Sequence, residues 1–565
     1  MSQASAFKNS AAGQLLIYAL YVCAAMAVLL YLLSLGVKNT AGSASNGAIN
    51  VEDNSITIAI RQEPAQLDSS RATDGASAVV FAHVMEGLIA YDNEDNLVPA
   101  IAERWEITAQ GATFYLRDNA RWSDGQPITA HDFVYAWRKV VDPATAAQYS
   151  FIMYSVKNGE AINQGSLPKE TLGVVAKSDR VLVIEFENPT PHFDKLVPFY
   201  TFFPIREDFF EATNGGYGTE ADLLLYSGPY KIAQWTHSST MSWEKNPHYW
   251  DDNKGFLDAI HVAYITDDVN SRLNLFKDGQ ITDTHLLPSM LGNAMEQHWQ
   301  IDRTMDGTVF FLEFNHRDDR VSRNLNFRKA LQLAQDPEEF VYKAMKEPAY
   351  LPGVSLFPIW VPGITELFRQ EYPPIAHQQN IIKAQQHLEM ARVELGLDEF
   401  PPIVLLIDDN EAGKVTGEYY QEVYRRVLGL EILLDKQIFK QRLDKMTSGD
   451  FDFYLGGWSP DYFDALTYAE LFASWNLNNR GRYVSAEMDA LVRLGQTSLN
   501  PQERMDAFGE IQRLAYEDVA MIPVYERGWS FVVDPRLKGF KRRVVGPEVD
   551  YKYAYIELSD EVSDD

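Results

Sequence analysis

Three aspartates stand close together late in the chain, Asp452, Asp461 and Asp464. Two of them lie in GGWSPDYFD (456–464), where the apolar run DFDFYL ends in two glycines and a tryptophan instead of a solvated turn. Neighbouring carboxylates are the raw material of general acid–base chemistry, but that work needs matched geometry and shifted pKa values. Other catalytic signatures are missing from the sequence: there is no GxSxG, no HExxH and no GxxxxGK[ST]. The 11 histidines contain no i, i+4 pair for a metal. Cys23 is the one cysteine, so neither an internal disulfide nor a thiolate zinc site can form. These residues point away from an enzyme, and no catalytic residue, metal or cofactor is expected. Aromatics offer a different chemistry. Tyr149, Phe439, Trp458, Tyr525 and Trp529 fall near predicted strand ends or turns. Core packing accounts for each, and so does a concave ligand site, which combines aromatic walls with few polar groups.

The elements that must position these residues alternate between two periods. SITIAI (55–60) alternates as a strand does. A helical run follows over 76–92, ending at Gly87, and then a solvated turn at DNEDN. FYLRDNARWSDGQPITAHDFVYAWRKVVDP (114–143) reads as strand, turn and helix, with Thr129 as N-cap and Asp132 at the capping-box position. SGPYKIAQW and STMSWEKNPHYW read as a hairpin. Beyond residue 400 a strand, helix, strand, helix, strand order leads into GGW. That order predicts an α/β protein with mainly parallel sheets.

At 565 residues the chain is too long for one core, so several domains are expected. Its 79 acids against 50 bases give a net charge of −29, which opposes nucleic-acid binding because phosphate neutralisation needs clustered Lys and Arg. LLIYALYVCAAMAVLLYLLSLGV (15–37) holds 23 residues without a charge. At about 1.5 Å per residue it is long enough for a hydrocarbon core of about 30 Å. We expect a cytoplasmic segment (1–14), a transmembrane anchor or uncleaved signal (15–37), a flexible linker (38–54) and, at the other end, an acidic tail (559–565).

EGLIAYD (86–92), PAIAERWEI (99–107), the 114–143 block, SGPYKIAQW (227–235), NPHYW (246–250), FRKALQLAQD (327–336), GGWSPDY (456–462) and IPVYE (522–526) occur in one order. With these motifs the chain resembles the extracytoplasmic solute-binding proteins of peptide ABC importers, family 5, most closely the oligopeptide-binding group. The resemblance implies a type II periplasmic-binding-protein fold, two lobes around a cleft with an extra domain. It assigns lobe I to 50–86, 210–307 and 527–558, the extra domain to 87–209 and lobe II to 308–526. Hinge crossings then fall at 306–310 and 525–529. It further implies an extended peptide held by strand addition between the lobes. Asp461 would pair with the peptide amine. Gly457, Trp458 and Ser459 would line the peptide on one side and Asp74, Gly75 and Ala76 on the other, with Tyr149, Phe439 and Tyr525 as aromatics nearby. Asp464 has no part in this scheme and is expected to be a solvated or capping acid.

Two departures stand out. Relatives carry bases for the peptide carboxylate where this chain has Gly413, Met446 and Leu455. Lys414, Arg442, Arg480 or Arg482 would be the substitutes. The apolar run 15–37 implies a receptor tethered to the inner membrane, its binding domain outside. The expected partners are a peptide and the permease subunits of an importer, with no nucleic acid, and the protein is expected to be a monomer. A sensor or scaffold that kept the fold, and a binder of a non-peptide solute, remain open alternatives.

Overall fold

A computed structural model describes residues 47–251 and 257–558. Segment 1–46, which contains the expected anchor and most of the linker, lies outside the described residues, as does the acidic tail 559–565. Among the described residues no helix is long and apolar enough to cross a membrane.

The strand expected at SITIAI is Ser55–Ile60, and it enters a five-stranded sheet in the order Ile49–Asn50, Ser55–Ile60, Ala259–Ile265, Thr240–Lys245, Tyr230–Thr236. A four-stranded antiparallel sheet, Ala102–Ile107, Gly111–Leu116, Val181–Glu185 and Val174–Ser178, carries helix Ala130–Val141 beside it. That helix begins as expected. The Asp132 carboxylate accepts the backbone N–H of Thr129 at 2.8 Å and Trp122 Nε1 at 3.2 Å. Its inner face buries Phe133, Trp137 and Val140, and Trp137 Nε1 donates to the carbonyl of Phe202 at 2.9 Å.

The largest sheet has seven strands. Along it run Asp283–Leu286, Met521–Val533, Ile301–Phe314, Phe453–Trp458, Ile403–Asp408 and Ile432–Gln437, and Leu351–Pro352 pairs with Met521–Val533. Here the expectation of mainly parallel sheets is wrong. Parallel ladders join only Ser55–Ile60 to Ala259–Ile265, and Ile403–Asp408 to both its neighbours, among the described residues. The reason is connectivity. Parallel pairing needs a crossover, and helices Glu411–Leu428 and Phe439–Ser448 supply two of them; elsewhere hairpins and long returns reverse the chain.

Ile301–Phe314 and Met521–Val533 lie antiparallel over most of their lengths, and their register slips between Met305 and Val309. Gly307 sits in that bulge at φ 77°, where a Cβ would come within 2.8 Å of Pro460 and 2.6 Å of Val544. Only glycine adopts this conformation in this space without strain. Asp306 ties the bulge down, accepting Arg527 Nε at 2.6 Å and Trp529 Nε1 at 2.9 Å. The strands therefore bend beside the GGW turn.

Candidate functional site

Strand Phe453–Trp458 pairs with Ile301–Phe314 along one edge from Val309 to Phe314. Its other edge pairs with Ile403–Asp408 only at Phe453 and Tyr454. From Leu455 to Trp458 that outer edge faces no strand among the described residues. Gly457 is exposed there, and directly opposite it, across the paired edge, stands Phe310. A Cβ at Gly457 would lie 2.7 Å from the Phe310 ring, so the position excludes a side chain and leaves backbone as the surface.

The turn that follows is tied at three points. Trp458 Nε1 donates to Thr467 Oγ1 at 3.1 Å, and the Asp461 N–H donates to the same oxygen at 3.3 Å. The Ser459 hydroxyl bonds that of Thr308 at 2.8 Å, which also accepts Arg527 Nη2 at 3.0 Å. Facing this turn, Asp74 caps helix Gly75–Val84, its carboxylate accepting the Ser77 N–H at 2.8 Å and the Ser77 hydroxyl at 2.7 Å. Gly75 is exposed with open space around it.

Between the two walls lie two cavities that share Arg543 and Gly546 as lining. The larger, about 560 Å³, is bounded by Gly75 and Ala76 on one side and by Ser459 and Pro460 on the other. The smaller, about 100 Å³, is lined by Asp461, Tyr200 and Phe199 among others. Asp461 is half-buried, and among the described residues no side chain bonds or pairs with its carboxylate. Burial alone pushes that carboxyl up to about 6. Tyr149 stands near it, stacked edge-on against Phe199 with centroids 5.0 Å apart. Its hydroxyl is raised to about 12, by burial and then by the charge of Asp461. Tyr200 feels Tyr149, Asp74 and Asp461 in turn, after burial. Asp74, Gly75, Ala76, Tyr149, Trp458, Ser459 and Asp461 thus converge on one region.

The family model for the middle part of bacterial extracellular solute-binding proteins, family 5, matches residues 96–479. The chain belongs to that family. Its sequence is 28% identical over 543 residues to the oligopeptide-binding protein OppA of Bacillus subtilis, covering 94% of this chain and 98% of the relative. The substrate-binding domain of an oligopeptide ABC transporter from Bacillus anthracis superposes with a TM-score of 0.72 at 30% identity, covering 90% of this chain and 100% of that one. Listeria monocytogenes OppA bound to peptide gives 0.71 at 29% identity, covering 90% and 99%.

Other residues of this family 5 chain sit elsewhere. Tyr525 is buried between Phe310, with centroids 4.4 Å apart, and Tyr350, at 4.9 Å, and lines neither cavity. It is a core aromatic, because its strand turns that face into the sheet's packing. Phe439 opens helix Phe439–Ser448, and its side chain lies outside what the structure describes. Asp464 is not solvated. It is fully buried and accepts Arg504 Nη2 at 2.8 Å, Lys195 Nζ at 2.7 Å and the Leu466 N–H at 3.0 Å. Burial alone would raise its carboxyl; Lys195 and Arg504 outweigh that and hold it far below the ordinary carboxylate range. Of the substitutes for the missing carboxyl-end bases, Arg442 is bound to Asp408 at 2.8 Å and to the Leu455 carbonyl at 2.8 Å. Arg480 donates to Thr447 at 2.7 Å. The sequence reading missed Arg61, Arg272, Arg527 and Arg542, which line the larger cavity. They are spread over most of the chain, so no local motif announces them.

Proposed function

We propose that this chain is an extracytoplasmic receptor that binds peptides by their main chain and amine, and delivers them to an ABC importer while tethered to the inner membrane by 15–37. The observation that carries the reading is Asp461, a half-buried carboxylate with no side-chain partner among the described residues, standing just past the exposed Gly457 backbone. A buried charge without a counter-ion is unfavourable, and a protonated peptide amine is the counter-ion that completes it. On the Leu455–Trp458 edge the Leu455 carbonyl already accepts Arg442, while exposed Gly457 beyond it offers backbone for strand addition, and Gly75 and Ala76 approach from the other wall. The names of the relatives favour peptides among the solutes this fold can hold.

On this reading the lobes are 50–86 with 210–307 and 527–558, and 308–526, and 87–209 is the extra domain. The register slip beside Gly307 supports hinge crossings near 306–310 and 525–529. The receptor acts as a monomer, with its binding domain on the periplasmic side.

Titration calorimetry of the full chain with trialanine and with N-acetyl-trialanine tests the assignment. The free amine binds at least about a hundredfold more tightly, in line with roughly 3 kcal/mol for one broken buried ion pair. Its affinity falls about tenfold for each pH step taken below 6, as Asp461 is protonated in the free protein. Equal affinity of the two peptides at pH 7.5 removes Asp461 from the amine role.

A further inference from the structure

The larger cavity carries a buried cation that no carboxylate among the described residues bonds directly. Arg272, from helix Val269–Lys277, is buried to 6% exposure and lines it. Its Nη2 donates to His285 Nδ1 at 2.7 Å, and its Nε has no hydrogen-bond partner. Among the described residues no carboxylate lies within 4 Å of it in an ion pair. His285 supplies no negative charge. Burial, then Arg272, Arg61 and Arg542, hold its ring down to about 3, so it is neutral and serves as an acceptor.

Arg61 and Arg542 close on the same point, and the Nε of each is likewise buried without a hydrogen-bond partner. Rings hold both in place. The Arg542 guanidinium lies 3.4 Å over Phe531, and that of Arg61 5.2 Å over Trp529. Nearby acids are mostly committed. Asp283 bonds Arg542 and accepts Tyr551 OH at 2.7 Å, and Asp306 is bound by Arg527 and Trp529. Glu548 stands 3.6 Å from Arg61 Nε, beyond hydrogen-bond reach, and Asp267 is exposed at the rim.

Three guanidinium groups crowded together repel; Asp283 offsets Arg542 and Glu548 offsets Arg61, but among the described residues no carboxylate touches buried Arg272, which Glu548, Asp267 and Asp283 reach only through space, and a ligand anion in contact would complete it. Planar guanidinium forks fit a carboxylate in particular, because two N–H groups meet its two oxygens. Ser459, Gly75 and Ala76 line the same cavity, so a peptide laid along those walls brings its own groups to the arginines. We propose that Arg272, Arg61 and Arg542 form a subsite for a carboxylate of the ligand, opposite in charge to the Asp461 end. This rests on the peptide reading above. The carboxylate is either the peptide's terminus or an acidic side chain, and the arrangement makes the protein selective for peptides that carry one there.

Four peptides distinguish the sources by calorimetry on the full chain: trialanine, its C-terminal amide, Ala-Glu-Ala amide and Ala-Gln-Ala amide. A terminal carboxylate shows as trialanine binding at least about tenfold more tightly than its amide. A side-chain carboxylate shows as the Glu peptide exceeding the Gln peptide by the same factor. Either preference is expected to vanish in Arg272→Met, with Arg61→Gln as a second variant on the half-exposed guanidinium in case the first does not fold. Binding of all four with equal affinity overturns the subsite alone. A preference that survives in both variants also overturns it. Binding of none of the four overturns the peptide reading and the subsite together.

Discussion

Asp461 and Asp464 are three residues apart in one turn, and the protein treats them in opposite ways. Asp464 is fully buried and meets two cations and a backbone N–H, so its charge is stabilised far beyond what water offers. Lys195 and Arg504 come from segments on either side of that turn in sequence, 269 and 40 residues away, and the carboxylate fastens them together. Asp461 is also drawn from water but meets no cation among the described residues, and burial raises its carboxyl to about 6. One carboxylate is a finished interaction and the other is half of one. The general lesson is that burial by itself does not separate a structural acid from a binding acid; the presence of a partner inside the protein does.

The largest effect expected from this contrast is at Asp464. Asp464→Asn leaves Lys195 and Arg504 with a buried neutral amide, and breaking a buried pair this way costs about 3–5 kcal/mol. Urea denaturation at pH 7 should show that loss of unfolding free energy. An unchanged midpoint would mean that the cations find water or another acid, and the contrast collapses.

Asp461→Asn should act with the opposite sign on the unliganded protein. A carboxyl raised in the folded state to about 6, above its ordinary value of 3.8, destabilises the fold once it is ionised. That penalty is absent below pH 4, grows as pH rises to 6 and is complete above it. Removing the charge therefore leaves stability nearly unchanged at pH 4 and raises it by roughly 3 kcal/mol at pH 7. Denaturation curves at the two pH values check it; a variant less stable at pH 7 means that Asp461 has a partner in the free protein after all.

Much of the framework is legible in residue order. The strand Ser55–Ile60, the capped helix at Thr129 and the hairpin of Tyr230–Thr236 with Thr240–Lys245 are local patterns, and local patterns survive folding. Sheet direction is not local. The strand–helix alternation after residue 400 yields parallel ladders, but Ile301–Phe314 and Met521–Val533 pair across some 200 residues, and nothing in either strand declares its direction. The site divides the same way. Asp461 follows a recognisable GGW turn. Asp464 looks like any surface acid, because its partners Lys195 and Arg504 are remote. Arg61, Arg272 and Arg542 meet only because three different elements converge on one cavity. Tyr525 is an aromatic whose strand carries it into the stack of Phe310 and Tyr350.

The smallest expected effect concerns what the wall just before the two aspartates presents to a ligand. Ser459 is exposed, and its hydroxyl bonds Thr308 at 2.8 Å, a residue already held by Arg527. If the wall works through main-chain groups, as the exposed backbone at Gly457 favours, the Ser459 side chain matters only through that one neutral hydrogen bond. Such a bond contributes about 0.5–1.5 kcal/mol to stability. Ser459→Ala should therefore lower unfolding free energy by about 1 kcal/mol and change trialanine affinity by less than about threefold, since its backbone N–H and carbonyl remain. A loss of affinity above about tenfold would place the hydroxyl itself on the ligand, and the binding half of the turn would then owe its specificity to side chains as much as Asp464 owes its own fit to Lys195 and Arg504.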